Sequence, residues 1–177
     1  IRADVNSMWD LTVHDLSVID YLSDGKLPRE IKCVGQRLYS AKESVTSLLV
    51  KYDGFFATMT SSWLSPIKER RIIMGATKKM VLFNDLDLMN KYVVYDKGYD
   101  VNAELESMEY DKFSLRTRNG GAVIPELPQE DALYNSIEHF RTCICEKKES
   151  LSGPAAAVRL LKILEKADRQ LEEEKGA

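Results

Sequence analysis

The sequence predicts an α+β fold, with a mostly antiparallel open β-sheet and helices packed on one face. Three features of the 177-residue chain indicate it: an apolar helical rhythm near the start, alternating strand-like segments in the middle, and two amphipathic helices at the end. The strand-like segments follow one another after short connections. Such connections favour antiparallel neighbours, because a parallel return needs a long crossover. The length suits one domain, residues 1–177.

The first helix is predicted over residues 9–22. Leu16, Ile19 and Leu22 recur there every third residue, which is typical of a helix with one buried face. Asp24-Gly25 and then Pro28 provide the signals that end it.

Strands are predicted at residues 31–40, 45–52, 55–64, 69–76, 80–84, 91–95 and 112–118. Asp53-Gly54, between the second and third, is a strong hairpin signal. Gly120-Gly121 follows Arg118-Asn119 and predicts a further turn. The acidic stretch between the last two strands is expected to be a surface excursion.

The third strand predicts a sheet that is apolar on both faces. One alternating set is Phe55, Ala57, Met59, Ser61 and Trp63, and the other is Phe56, Thr58, Thr60, Ser62 and Leu64. Since both sets contain large apolar side chains, we expect a partner on each face. Either a second sheet or a loop from residues 85–111 covers the face that the helices leave open.

Two helices close the chain. In the first, four apolar residues repeat at intervals of four, three and four and predict a buried stripe: Leu133, Ile137, Phe140 and Ile144. In the second, Pro154 suits the first helical turn. One face of this second helix is predicted to carry Val158, Leu161, Leu164 and Leu171.

Asp10 and His14 are the candidate chemical pair, because a spacing of four residues places two side chains on one side of a helical turn. An imidazole steered by a carboxylate is a standard device for moving a proton. A structural alternative stays open. Asp10 would then be the N-cap of the helix, and His14 a hydrogen-bonded core residue.

Four segments resemble, in order, motifs in the C-terminal domain of the glucose–fructose oxidoreductase / inositol dehydrogenase / MocA (Gfo/Idh/MocA) family. They are Asp-x-x-x-His-Asp from Asp10, SSWLSPIKERRIIMGAT at 61–77, LPQEDALYNSIEHF at 127–140 and GPAAAVRLLKILEKADRQL at 153–171. The resemblance covers nearly the whole chain. It implies the C-terminal domain of a two-domain dehydrogenase whose sheet packs against that of another subunit, and hence a homo-oligomer formed through the sheet.

The family binds NAD or NADP in an N-terminal Rossmann domain, which also supplies a catalytic Lys. This chain contains no Gly-x-Gly-x-x-Gly and no strand–glycine turn–helix unit that could hold a pyrophosphate. We therefore expect the Rossmann domain to be absent from this chain. NAD or NADP would bind the full-length parent, and this fragment alone is expected to bind no cofactor and to be inactive.

The resemblance also implies roles for single residues. His14 would be the general acid/base, and Asp10 would orient it or contact the substrate hydroxyl. Three further candidates rest on their positions in the sequence and not on the resemblance. Trp63, near the start of a connection between strands, would wall the substrate site, or it is a core aromatic of the sheet. Lys68 and Arg70 would reach a phosphate or carboxylate of the substrate, or they are surface charges paired with Glu69 or its neighbours.

Composition excludes several function classes. A formal charge of −3 and a pI near 5.5 argue against a nucleic-acid surface. Three cysteines indicate a reducing compartment, and we expect a cytoplasmic protein. Cys143 and Cys145, two apart in a predicted helix, form neither a bridge nor a zinc site, and two histidines make a metal centre improbable. No apolar run suits a membrane span.

The sequence thus predicts the substrate-binding and oligomerisation domain of an NAD(P)-dependent oxidoreductase. Its substrate would be a small molecule with a secondary alcohol: a sugar, a sugar derivative or a cyclitol. Two alternatives from other classes stay open, a self-standing oligomerisation module and a sugar-binding domain without catalysis. A Gly-rich βαβ unit in the upstream coding sequence would favour the dehydrogenase.

Overall fold

A computed structural model describes residues 4–39, 41–100, 116–128 and 131–173. The chain divides into two compact units. The first comprises Ile1–Pro66 and Asp131–Ala177, and the second comprises Ile67–Glu130. The expectation that residues 1–177 act as one domain stays a prediction.

The first unit begins with a π-helical turn, Met8–Thr12, that runs directly into α1, Val13–Leu22. Three antiparallel strands follow in sequential order: β1 (Glu30–Gln36), β2 (Val45–Lys51) and β3 (Phe56–Ser62). The last two helices of the chain, α2 (Ala132–Glu146) and α3 (Pro154–Glu173), complete the unit. None of the helices in the described ranges is long and apolar enough to cross a membrane.

One face of the three-stranded sheet carries the core. Inward side chains alternate along each strand, and α3 and the π-helical turn pack over them, with α1 against α3. Leu16 of α1 and Leu164 of α3 are at most 1% exposed. The buried cluster comprises Met8, Leu16, Ile31, Cys33, Leu48, Val50, Tyr52, Met59, Ile163, Leu164, Ala167 and Leu171. This arrangement confirms the predicted α+β fold, with helices on one face of an antiparallel sheet.

An ion pair joins α1 to α3. Arg159 Nε and Nη2 donate to the two carboxylate oxygens of Asp20, each at 2.7 Å. Such a bidentate pair fixes direction as well as distance. Gly25 follows α1 with φ at +70°, and a Cβ at this position would meet Arg159 Cζ at 2.9 Å. Glycine therefore ends the helix for two reasons, the left-handed backbone and the guanidinium packed against it.

Two further polar contacts fix the C-terminal half of α3. Asp168 Oδ1 accepts a hydrogen bond from Asn6 Nδ2 at 2.8 Å. Gln170 binds the backbone of β1 twice. Its Oε1 accepts from Cys33 N at 2.7 Å, and its Nε2 donates to Ile31 O at 2.8 Å. α3 is thus bound to the N-terminal segment and to the sheet through polar groups as well as through its apolar face.

The second unit is a four-stranded antiparallel sheet in sequential order: β4 (Arg71–Gly75), β5 (Met80–Asn84), β6 (Tyr92–Asp100) and β7 (Arg116–Val123). β5 agrees with the predicted strand at both ends. β6 extends five residues beyond the predicted end at 95, so the start of the expected surface excursion is a strand. Residues 101–111 of that stretch, and residues 112–115 of the last predicted strand, lie outside the described residues.

The turn predicted at Gly120-Gly121 is wrong, because both glycines lie inside β7. Tyr95 pairs with Ala122 and Lys97 pairs with Asn119, so the two glycines oppose the single residue Asp96. This is a β-bulge. A Cβ on Gly120 would come within 2.3 Å of Asp96 Oδ2. Gly120 therefore makes room for the Asp96 side chain of the neighbouring strand, whereas a Cβ on Gly121 would meet no atom within 4 Å. The glycine pair does not reverse the chain.

The outward face of the three-stranded sheet carries exposed side chains. Phe56 is 69% exposed and Val34 is 55% exposed, and Thr58 and Thr60 are exposed beside them. Met59 belongs to the other set and is buried. Of the predicted covering loop, residues 92–100 form β6, and residues 101–111 lie outside the described part of the chain.

The two closing helices differ from the prediction in what they bury. α3 begins at Pro154, as predicted, and buries Leu164 and Leu171. Val158 and Leu161 are exposed, and Ile163 and Ala167 take their places in the core. The predicted buried stripe of α2 is wrong, because none of the fifteen residues of this helix is buried.

Candidate functional site

The candidate site is built on the π-helical turn that precedes α1. Such turns are rare and occur frequently at functional sites. Met8, the first residue of the turn, is completely buried and contacts Cys33 of β1 through sulfur, at 3.8 Å. The next residues of the turn lie at the margin of the core, and Asp10 is half-buried there.

Buried hydroxyl groups hold both ends of the turn against the sheet. Before it, Ser7 Oγ and Thr46 Oγ1 of β2 are hydrogen-bonded at 3.1 Å. At its end, the hydroxyl of Thr12 is hydrogen-bonded to that of Ser61 on β3. All four residues are buried. Since buried hydroxyl groups are costly without partners, these bonds define one position for the turn on the sheet.

A second polar cluster fixes the segment that leads into the turn. Asn6 is 1% exposed, and its Nδ2 donates to Asp168 of α3 and, at 3.4 Å, to Glu43 Oε2. Arg37 Nε donates to Glu43 Oε1 at 2.8 Å. The other side-chain group of Asn6, Oδ1, accepts from Trp9 N at 3.2 Å. Asn6 therefore connects the first helical residues to both α3 and the loop before β2.

Asp10 and Trp63 are brought together by this arrangement. Trp63 Nε1 donates to Asp10 Oδ2 at 3.0 Å across a sequence separation of 53 residues. Trp63 directly follows β3, and its backbone N donates to Ser44 O at 3.1 Å. Its ring is half-buried. The indole is thus neither a fully buried core aromatic nor a free surface residue, and it holds one oxygen of the Asp10 carboxylate.

His14 is the second residue of α1, and its side chain is exposed. The structural alternative of a core histidine is therefore wrong. The capping alternative for Asp10 is also wrong, because Asp10 lies in the middle of the π-helical turn. Asp10 lies in the π-helical turn and His14 in the α-helix that follows it. The rule that residues four apart share one side of an α-helix therefore does not apply directly to this pair.

Lys68 and Arg70 belong to the second unit, just before β4, and both side chains are exposed. Arg70 Nη1 is 3.2 Å from Asp85 Oδ2, and Lys91 Nζ is 2.8 Å from Asp85 Oδ1. Hydrogen bonds from Lys91 and Arg70 hold the pKa of Asp85 below its ordinary value. Arg70 is thus engaged in a surface ion pair, but its partner is Asp85 and not Glu69, which pairs with Arg71.

No family model and no curated protein sequence matches the chain. Solved structures do. GnnA, a UDP-N-acetylglucosamine 3-dehydrogenase from Acidithiobacillus ferrooxidans, matches with a TM-score of 0.73 and 20% identity over 96% of this chain and 48% of that one. An oxidoreductase of Desulfitobacterium hafniense, named as NADPH-dependent, matches with a TM-score of 0.69 and 19% identity. The match covers 95% of this chain and 46% of that one.

GenD2 from gentamicin A biosynthesis, solved in complex with NAD, matches with a TM-score of 0.58 and 16% identity. The match covers 95% of this chain and 46% of that one. The chain shares its fold with these oxidoreductases. The family resemblance read from the sequence motifs is thereby confirmed at the level of the fold. The chain spans about half the length of these structures.

Sequence reasoning missed the residues that position Asp10. Asn6, Ser7 and Thr12 are buried polar residues, and none of them belongs to a recognisable motif. One signal was present, because Ser61 shares its alternating set with the core residue Met59. A polar residue on an inward face requires a buried partner, which here is Thr12.

Proposed function

We propose that the chain is the substrate-binding domain of an NAD(P)-dependent oxidoreductase acting on a secondary alcohol of a sugar, sugar derivative or cyclitol. The observation that carries the proposal is the Asp10 carboxylate, held by the Trp63 indole in a π-helical turn four residues before the exposed imidazole of His14. The match in fold to oxidoreductases that are about twice as long supports it.

Oxidation of a secondary alcohol requires that the hydroxyl proton leave as the carbon loses hydride. NAD or NADP, bound by the other half of the longer protein, would supply the hydride acceptor. His14 would take the hydroxyl proton and pass it to water, to which its side chain is exposed. Asp10 accepts a hydrogen bond from the substrate hydroxyl or from His14, and the bond from Trp63 keeps its carboxylate in one orientation.

Two observations support the proposed substrate class. GnnA carries the name of a sugar-nucleotide dehydrogenase. Lys68 and Arg70 are proposed to contact an anionic substituent of the substrate, such as a phosphate. Arg70 would exchange its exposed ion pair with Asp85 for that contact. Exposed pairs of this kind contribute little stability, about 0–1 kcal/mol. Breaking the pair with Asp85 would therefore cost little free energy.

The outward face of the three-stranded sheet is the proposed surface for self-association. Val34 and Phe56 are large exposed apolar residues toward opposite corners of this face. Val34 of β1 is level with Thr60 of β3, whereas Phe56 of β3 is level with Glu30 of β1. The apolar side chains exposed here support the proposal, because exposed apolar patches mark sites of interaction. A second copy of the chain would cover this face.

The decisive experiment uses the product of the complete reading frame, assayed with NAD⁺ and NADP⁺ against a panel of sugar nucleotides and cyclitols. We expect Asp10→Asn and His14→Ala each to lower kcat by about 10²–10⁴, the usual contribution of a positioned acid/base group. The dissociation constant for NADH should change little, because these side chains address only the reacting hydroxyl.

Asp24→Asn is the matched control, since it removes another carboxylate at the end of the same helix. Asp24 is exposed and has φ at +55°, a conformation that Asn tolerates. This variant should turn over normally. Normal turnover in both Asp10→Asn and His14→Ala would instead refute the assignment of the site. If the complete reading frame encodes no dinucleotide-binding segment, the dehydrogenase proposal is refuted. The chain would then be a sugar-binding or oligomerisation module.

A further inference from the structure

Asn6 binds the start of the π-helical turn through two of its oxygen atoms. Its side-chain Oδ1 accepts from Trp9 N at 3.2 Å, and its backbone O accepts from Asp10 N at 3.3 Å. The first backbone N–H groups of a helix have no acceptor within the helix itself. The hydroxyl of Ser7, which is the N-cap by position, is bonded to Thr46 instead. Asn6 therefore supplies the side-chain cap and fixes the backbone of the turn at Asp10.

The neighbours of Asn6 decide which way its amide points. Its Nδ2 lies 2.8 Å from Asp168 Oδ1 and 3.4 Å from Glu43 Oε2. Ionised carboxylate oxygens accept hydrogen bonds and donate none, so the amide must turn its NH2 group toward them. Its carbonyl oxygen then lies on the other side, where Trp9 N donates to it. Two acidic side chains, one on α3 and one in the loop between β1 and β2, thus orient the cap.

Glu43 is itself fixed by a buried ion pair. The residue is 4% exposed, and Arg37 Nε and Nη2 each lie 2.8 Å from its Oε1. Both contacts use the same oxygen, and Oε2 is the oxygen that faces Asn6. Removing charge from water is costly unless the charge is paired. The pair with Arg37 therefore gives the Glu43 carboxylate one position, and Asn6 responds to that position.

The backbone at Glu43 holds both members of the Asp10–Trp63 pair. Glu43 O accepts from Ser7 N at 3.0 Å, just before the π-helical turn. The next carbonyl, Ser44 O, accepts from Trp63 N at 3.1 Å. Two consecutive carbonyl groups thus bind the segment that carries Asp10 and the residue whose indole donates to it. The bond of 3.0 Å between Trp63 Nε1 and Asp10 Oδ2 depends on both contacts.

We propose that Asn6 and Glu43 are positioning residues for the Asp10 carboxylate. This inference rests on the proposed function, in which Asp10 binds the substrate hydroxyl or His14. Asn6 and Glu43 act through the backbone of the π-helical turn, and their network sets where the carboxylate stands relative to Trp63. A misplacement of about 1 Å can lower turnover about 10²-fold. The network thus controls the reaction rate without contacting the substrate.

Two variants of unchanged side-chain shape break the network. In Asn6→Asp, a carboxylate faces those of Asp168 and Glu43, and repulsion turns it away. In Glu43→Gln, Arg37 requires the amide oxygen, so the new NH2 group faces the NH2 group of Asn6 and the two donors conflict. The rescue variant combines Asn6→Asp with Asp168→Asn. The amide introduced on α3 then donates to the introduced carboxylate, which removes the closer of the two repulsions.

The first measurement is spectroscopic and uses the 177-residue chain. The chain has two tryptophans, so two indole N–H signals are expected in a proton–nitrogen correlation spectrum, and Trp63→Phe assigns one of them. Asp10→Ala gives the position of the Trp63 signal without the carboxylate. Asn6→Asp and Glu43→Gln should move the signal toward that position, and the rescue variant should move it back. Asp20→Asn is the matched control, because it weakens the ion pair near the start of α3 and should leave the signal in place.

The second measurement is turnover by the product of the complete reading frame. Asn6→Asp and Glu43→Gln should each lower kcat by about 10–10²-fold, and the dissociation constant for NADH should change little. The rescue variant should recover part of the lost kcat. Asp20→Asn should keep the kcat of the wild type. A purely structural role for the network would give no such split between kcat and cofactor binding.

Three results would overturn the inference. One is a Trp63 signal that stays in place in both Asn6→Asp and Glu43→Gln. Another is an equal movement of this signal in Asp20→Asn, because the response would then report a general loosening of the fold. The third is a rescue variant whose signal remains at the position found in Asp10→Ala. The proposed function is judged separately by wild-type turnover. A signal that moves as expected, in a protein whose complete wild-type form has no dehydrogenase activity, would support the network while refuting the activity.

Discussion

The two C-terminal helices have similar sequence patterns and opposite environments. α3 buries Ile163, Leu164, Ala167 and Leu171 against the sheet and α1, whereas α2 buries nothing. α3 also makes polar contacts to α1, to β1 and to the N-terminal segment. The difference shows that amphipathic periodicity specifies which side of a helix is apolar. A facing surface of matching shape then decides whether that side is buried.

The largest loss of stability should come from a substitution on the buried face of α3. Leu164→Ala removes a side chain with 0% exposure from the centre of the core, and we expect it to lower the free energy of unfolding by about 2–5 kcal/mol. Urea denaturation measures this change. The control is Leu161→Ala on the same helix, where the side chain is 45% exposed and the loss should be under about 1 kcal/mol, as for surface substitutions. Equal losses in the two variants would contradict the orientation of α3.

A smaller loss of stability is expected when the polar contact between α3 and the sheet is removed. Gln170→Ala leaves Cys33 N and Ile31 O without the side chain that binds them, at a cost of about 1–3 kcal/mol in the free energy of unfolding. Gln170→Glu keeps the acceptor for Cys33 N and loses only the donor to Ile31 O. Its stability should therefore lie between those of the wild type and Gln170→Ala. An alanine variant as stable as the wild type would show that water replaces the amide.

The smallest change in stability is expected from a substitution on the exposed apolar side of α2. Ile137→Ala truncates a side chain that is 60% exposed, so the free energy of unfolding of the 177-residue chain should change by at most about 0.5 kcal/mol. The measurement is the same urea titration. A loss as large as that of Leu164→Ala would mean that α2 is already packed in this chain, and the contrast between the two helices would disappear.

Local signals predicted the strands well. The short apolar run at residues 80–84 predicted β5 at both ends. Asp53-Gly54 lies between β2 and β3, with Gly54 at φ +88°. These signals act over a few residues and depend on the pleat and on the backbone freedom of glycine. Gly120-Gly121 shows the limit of such reasoning. A glycine pair permits either a turn or a bulge, and only the Asp96 side chain on the neighbouring strand decides between them.

Long-range contacts of the site were beyond the reach of local patterns. The motif around Asp10 and His14 defined the candidate site, but Trp63, which binds the Asp10 carboxylate, lies 53 residues away in sequence. The π-helical turn was missed as well, because its extra residue leaves no mark on the apolar rhythm of the following helix. The hydroxyl bond between Thr12 and Ser61 joins a helix end to a strand, and no spacing rule relates the two.

Gln170 has a consequence for the behaviour of the chain at high concentration. Among the strands of the described residues, β1 lies at the border of its sheet, with β2 as its neighbour on one side. Its other side presents backbone groups that a strand from another molecule could extend. The Gln170 amide occupies the Cys33 N–H and the Ile31 C=O as a neighbouring strand would. An exposed border of this kind is a template for aggregation. A single helical side chain thus closes the middle of β1 to strand addition, and growth of the sheet by edge-to-edge association is blocked on that side.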